Sequence, residues 1–129
     1  MAETVPEEAE SLLQSEPLAA FLATSVEDRP HVAPLWYQYE DGVVELTTRG
    51  KKLANIRENP RVALSVQKAE AGIPAWMATL LGTAEVVEAE VEETRVRREI
   101  NAKYGVEPDA FSQNTLVRID VESTSYTVY

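Results

Sequence analysis

The chain has 129 residues, 44 % apolar and 26 % charged, which makes one globular domain with a single modest core rather than a disordered segment or two domains. Twenty-two acids against twelve bases leave a net charge of −10, so a phosphate backbone would be repelled and nucleic acid is excluded as the main partner. The absence of cysteine excludes disulfides and thiolate chemistry, and one histidine makes a His-based metal site or a Ser–His dyad hard to assemble.

No repeat, linker or low-complexity stretch interrupts the chain. Pro6-Glu7-Glu8 after Thr4 reads as a capped helix start, with the helix running to about residue 15 and stopping before Pro17. Residues 18–25 form a first strand, Glu27 to Pro30 a turn, and residues 31–39 a second strand. Asp41-Gly42 signals a tight hairpin into a third strand over 43–48. A short helix over 50–59 closes at Asn59-Pro60, because a residue before proline avoids helical angles. Residues 61–67 and 73–88 are strands four and five, and the fifth is apolar on both faces from Trp76 to Leu81. In an antiparallel protein such a strand needs a second cover, which another copy of the chain can supply. A helix over 92–104 carries the stripe Val96, Ile100, Tyr104 and stops at Gly105. The last strand, 115–129, turns Val117, Ile119 and Val121 to one face. The class is mainly β within α+β: a closed, antiparallel, six-stranded barrel with helices at the N-terminus, after strand three and before the last strand.

The start of the chain is acidic rather than basic, unlike a signal peptide. The longest mostly apolar run, residues 73–82, is about half a membrane span, so a soluble cytoplasmic protein without a membrane partner is expected. Scarce lysine and dispersed acids suit solubility in high salt, although an ordinary acidic bacterial or archaeal protein fits the pattern as well.

Against this background, five of the twelve bases (Arg49, Lys51, Lys52, Arg57, Arg61) fall within thirteen positions that hold a single acid, Glu58. Lys51 and Lys52 occupy the first turn of the predicted helix, where the dipole disfavours cations by a few tenths to about 1 kcal/mol. Backbone N–H groups and ammonium groups that converge there make an anion site.

The segments F-L-A-T-S-V-E-D-R-P-H-V-A-P-L-W-Y, D-G-V-V-E-L-T-T-R-G-K-K-L-A-N-I-R-E-N-P-R-V-A-L and G-T-A-E-V-V occur in order between residues 18 and 87. Together they resemble the pyridoxamine 5′-phosphate oxidase-like superfamily of flavin- and deazaflavin-binding split barrels. The resemblance implies that residues 1–129 are one FMN-binding split-barrel domain and that the protein is a homodimer with FMN at the subunit boundary. It places Ala33, Pro34, Leu35 and Trp36 along the flavin ring, and Thr47 and Thr48 near the ribityl phosphate. Lys51 and Lys52 match the pair that grips the phosphate, with Arg49 close enough to assist. Arginine usually holds the first of these two places; with lysine at both, bidentate gripping gives way to a point-charge contact. Trp76 and Met77 match the partner's strand over the ring, with Met77 where the true oxidases carry glutamine. The run from Glu122 to Tyr129 lacks the arginine and histidine that hold the pyridoxal substrate in those oxidases, so vitamin B6 oxidation is not expected.

The expected function is therefore that of an FMN-binding oxidoreductase of the pyridoxamine 5′-phosphate oxidase-related type, with no catalytic side chain and no metal ligand assigned. The alternatives are an 8-hydroxy-5-deazaflavin-dependent reductase on the same fold and a non-enzymatic binder of flavin or of haem, the latter through His31. Arg57 and Arg61 read as surface pairs with nearby acids, and Asn55 as a structural polar position. Trp36 and Trp76 also fit core or interface anchors, and the acid pairs at helix starts answer to the dipole.

Overall fold

In this computed structural model, which describes residues 4–129, period-two patterning decides which side of each strand meets the core. The elements are α1 (Glu7–Leu13), β1 (Ala20–Val26), β2 (Arg29–Leu35), β3 (Gln38–Glu40), β4 (Val43–Thr48), α2 (Lys51–Glu58), β5 (Arg61–Glu70), β6 (Ile73–Val87), α3 (Glu90–Lys103) and β7 (Thr115–Val128). One antiparallel sheet of seven strands runs in the order β2-β1-β5-β6-β7-β4-β3. Leu22, Leu64, Leu80, Leu46, Val117 and Ile119 point inward from five of these strands, and Ala9 and Leu13 of α1, with Val5 just before it, close the core. Val96 and Ile100 of α3 cover Leu116 in a second, smaller cluster.

Two expectations need correction. The strand expected over 31–39 is two strands, which raises the count from six to seven, and the sheet is not closed, against what the element order alone suggests but in line with the resemblance to split barrels. β2 pairs with β1 while β3 pairs with β4, so consecutive pieces of chain end at opposite edges of the sheet and share no ladder. The cause lies at Tyr37, which is fully buried between them. Its N–H donates to the Tyr104 hydroxyl (3.3 Å), and its carbonyl accepts from Lys103 Nζ (2.7 Å). The Tyr37 hydroxyl in turn donates to the Leu13 carbonyl at 2.8 Å. A residue whose backbone donor and acceptor are both taken by side chains cannot continue a ladder.

Three two-residue hairpins, Glu27-Asp28, Asp41-Gly42 and Ala71-Gly72, have positive φ at both positions, the mirror-image turn that matches strand twist. Thr4 does not cap α1: its hydroxyl donates to the Val121 carbonyl, and the Thr124 hydroxyl donates to the Thr4 carbonyl, which ties the chain start to β7. At the end of α3, Gly105 (φ +73°) turns the chain so that its own N–H reaches the Ala102 carbonyl and that of Val106 reaches the Asn101 carbonyl. β2 is a sheet edge, as Pro34 predicts.

Between Leu81 and Gly82 the β6–β7 register slips past Glu122, and the backbones close up. A Cβ on Gly82 would press on the Asp120 carbonyl and lie 2.9 Å from Ile119 Cγ2. Gly82→Ala is expected to cost about 1–3 kcal/mol, as other overpacked sites do, read as a lower urea midpoint at unchanged slope. Burial lowers Lys103 from 10.5 to about 8, although the Tyr37 carbonyl and ring face (4.0 Å) favour its charged form. Between pH 8 and 10.5 the unfolded chain then binds the extra proton, so this residue makes stability rise with pH through that window. In urea unfolding below the tyrosine range, Lys103→Met is expected to flatten this rise.

Candidate functional site

Three chain segments with their own local rules meet around one cavity of about 340 Å³. The end of β2 brings Pro34, Leu35 and Trp36, and the end of β4 brings Thr47, Thr48 and Arg49. The first turn of α2 brings Lys52, while Ile100 and Asn101 of α3 with Phe111 and Asn114 of the following loop make the opposite wall. No acidic residue lines it, in a chain with twenty-two acids.

The step from β4 to α2 depends on Gly50. Its φ of +72° is left-handed and a Cβ there would meet nothing within 4 Å, so the backbone angle alone calls for glycine. No side chain caps α2 and no acid stands in its first turn, so the N–H groups of Lys51, Lys52 and Leu53 have no helical partner. Lys51 is exposed and Lys52 half-buried; neither has an ion-pair or hydrogen-bond partner among the described residues. Two unpaired ammonium groups beside free N–H groups suit a phosphate.

Of the residues singled out in the sequence, Pro34, Leu35, Trp36, Thr47, Thr48, Arg49 and Lys52 come together at this cavity. Ala33 and Lys51 lie beside it without lining it. Trp76 and Met77 are elsewhere in the same chain. The Trp76 side chain packs in the core at 4 % exposure, and Met77 Sδ accepts from the Tyr129 hydroxyl at 3.3 Å on the other face of β6. Asn55 is structural, as expected: buried, it donates to Thr24 Oγ1 at 3.0 Å and holds α2 against β1. Arg57 pairs with Glu88 at 2.6 Å, while Arg61 has no acidic partner among the described residues. His31 sits on β2 opposite Thr24, away from the cavity lining. No group of three or more His, Cys, Asp or Glu side chains able to hold a metal occurs among the described residues.

Sequence reading missed the wall from α3. Trp36 is fixed there by a parallel stack on Tyr104 (centroids 4.6 Å apart, 7° between planes) and an edge contact with Phe111 at 5.6 Å. Burial pushes the Tyr104 hydroxyl above its ordinary range and keeps it protonated, able to donate to the Leu18 carbonyl at 2.6 Å. Asn101, 2 % exposed, donates to the carbonyls of Glu107, Pro108 and Ala110, and so staples the loop that carries Phe111. An asparagine beside Ile100, on the buried face of α3 that also carries Arg97, was the available signal.

Several solved structures share this architecture. An F420 reductase is 29 % identical, with a TM-score of 0.77 over 94 % of this chain and 98 % of its own. A conserved hypothetical protein of Mycobacterium tuberculosis is 26 % identical, with a TM-score of 0.76 over 99 % and 88 % of the two chains. A FAD-binding protein of Mesorhizobium loti, 24 % identical with a TM-score of 0.76 over 92 % and 89 %, shares the fold. Among curated proteins, none matches. The profile of the pyridoxamine 5′-phosphate oxidase family matches residues 5–128, and the chain belongs to that family.

Proposed function

We propose that this protein is an FMN-binding oxidoreductase of the pyridoxamine 5′-phosphate oxidase-related type, working as a homodimer. The observation that carries the reading is the unpaired Lys51–Lys52 pair at the uncapped start of α2, at the mouth of a cavity with no acid in its lining. Lys52, Lys51 and the free N–H groups of α2 hold the phosphate, and Thr47 and Thr48 contribute hydroxyls beside it. The segment Ala33–Trp36 offers the ring one flank, with Trp36 already oriented by Tyr104. The bound flavin supplies the hydride or electron chemistry, so the protein's part is to bind, orient and exclude water.

Support for the homodimer comes from the outer side of the sheet. Val32, Ala23, Ala63, Leu81 and Ser123 form one row across five strands, and Pro34, Phe21, Ser65, Thr79 and Ser125 the next. Neither row holds a charge in a chain of net −10, and Phe21, Val32 and Leu81 are 48–64 % exposed. Pro34 belongs both to this face and to the cavity lining, and Met77 lies on the same face one row on. A second copy seated there closes the cavity and brings its own Met77 to the seam. In sedimentation, Leu81→Asp is expected to turn a dimer into a monomer; an unchanged dimer would remove this interface.

A second reading, a deazaflavin as the cofactor, is favoured by the F420 reductase being 29 % identical over 94 % of the chain. The phosphate grip serves either ring. Titration of the purified protein with FMN and with 8-hydroxy-5-deazaflavin, followed by absorbance and fluorescence, separates the two. Lys52→Ala should weaken the preferred cofactor by roughly 10- to 150-fold, the equivalent of about 1.5–3 kcal/mol for a charge-assisted contact. Equal affinity in the variant would retire the phosphate assignment.

A further inference from the structure

The basic residues at the cavity belong to two different walls. Gly50 reverses the chain between Arg49 and Lys51, so the lysines head α2 while Arg49 turns to the loop after α3. There its Nη1 donates to Gln113 Oε1 at 3.0 Å. That contact is to a neutral amide; Arg49 has no acidic partner among the described residues, and it lines the cavity.

We propose that Arg49 reads the carboxylate of a flat, conjugated substrate whose body lies against Phe111, Trp36 and Ile100. This rests on the cofactor reading above and extends it to the substrate. A guanidinium fork matches a carboxylate with two parallel hydrogen bonds, a geometry that an ammonium group does not offer. The phosphate is already served by the lysines and the start of α2. Asn114 donates to Thr47 only at the 3.5 Å limit, which leaves its amide free to turn towards a ligand, whereas the Asn101 amide is committed to the loop carbonyls.

The apolar part of this wall is unusual in its backbone. Phe111 has φ +62°, a left-handed conformation rare for a bulky residue, and the residue is 52 % exposed. Strain of that kind persists where the surroundings over-determine it. Here the surroundings are the Asn101 staple, the bond from Asn114 N–H to the Phe111 carbonyl, and the edge contact with Trp36. The result is a half-exposed residue held at the cavity rather than folded into the core.

The test is calorimetric titration of FMN-loaded and of cofactor-free protein with 2-naphthoate and, as its neutral isostere, 2-naphthamide. Naphthoate is expected to bind about tenfold more tightly than the amide. Arg49→Met should abolish that preference, and Arg49→Lys should restore only part of it. Equal binding of acid and amide to the wild type, or a preference that survives in Arg49→Met, would overturn the proposal. So would a loss of FMN affinity in Arg49→Met as large as in Lys52→Ala, since Arg49 would then serve the phosphate. If FMN fails to bind while cofactor-free protein keeps the Arg49-dependent preference, the cofactor reading fails and this one stands.

Discussion

The structure depends on the clasp at Tyr37. One short stretch of chain gives its backbone donor to the Tyr104 hydroxyl and its acceptor to the Lys103 ammonium, and drops its own ring into the core. The clasp ends β2, starts β3 on the far edge of the sheet, and leaves the barrel split at that seam. It also sets the site, because Trp36 is the residue next to the clasp. With Tyr104 holding both the backbone of Tyr37 and the face of the Trp36 indole, the end of α3 positions fold and pocket together. A partly buried side-chain bond to an otherwise unpaired backbone group is costly to leave half-made, which makes the junction cooperative with α3 rather than a free loop.

Charge is organised on the same plan. Away from the cavity, Arg118 bridges Glu45 and Glu92 across β4, β7 and α3, and Arg57, Lys68, Arg95 and Arg98 each pair with one carboxylate, whereas Lys103 binds the Tyr37 carbonyl and Arg29 and Arg61 have no carboxylate partner among the described residues. Exposed pairs of this type contribute only about 0–1 kcal/mol, so they record where charge is balanced more than what holds the fold. Arg49, Lys51 and Lys52 are left without a carboxylate partner among the described residues, and the lysines sit where the helix dipole opposes them. A folded chain that tolerates that arrangement concentrates positive potential at one opening of an otherwise anionic surface, which favours encounter with anions there.

What could be read from the sequence was what is local. Alternation in β4 and β7, the Asp41-Gly42 turn, and the stop at Asn59-Pro60 rest on neighbouring residues and appear where expected. The half of the site between Pro34 and Lys52 is legible for the same reason, since a strand end, a glycine and a helix start follow one another in sequence. The division of residues 31–39 is not local: the groups that end β2 come from Lys103 and Tyr104, more than sixty residues away. The same distance hides the α3 wall, where Asn101 and Phe111 acquire meaning only once the helix packs across β4. Lys68, Ala69 and Glu70 show no alternation that would extend the strand expected over 61–67, yet the Ala71-Gly72 hairpin pairs them with β6.

One consequence follows from β2 as a terminal strand. Its two prolines, Pro30 and Pro34, are four residues apart and therefore share one side of the backbone, the side turned away from the ladder with β1. Of the three outward positions at 30, 32 and 34, only Val32 retains an N–H. An incoming strand would find too few donors to dock, so this border resists runaway strand addition and amyloid-type stacking even though the neighbouring sheet face is uncharged and sticky.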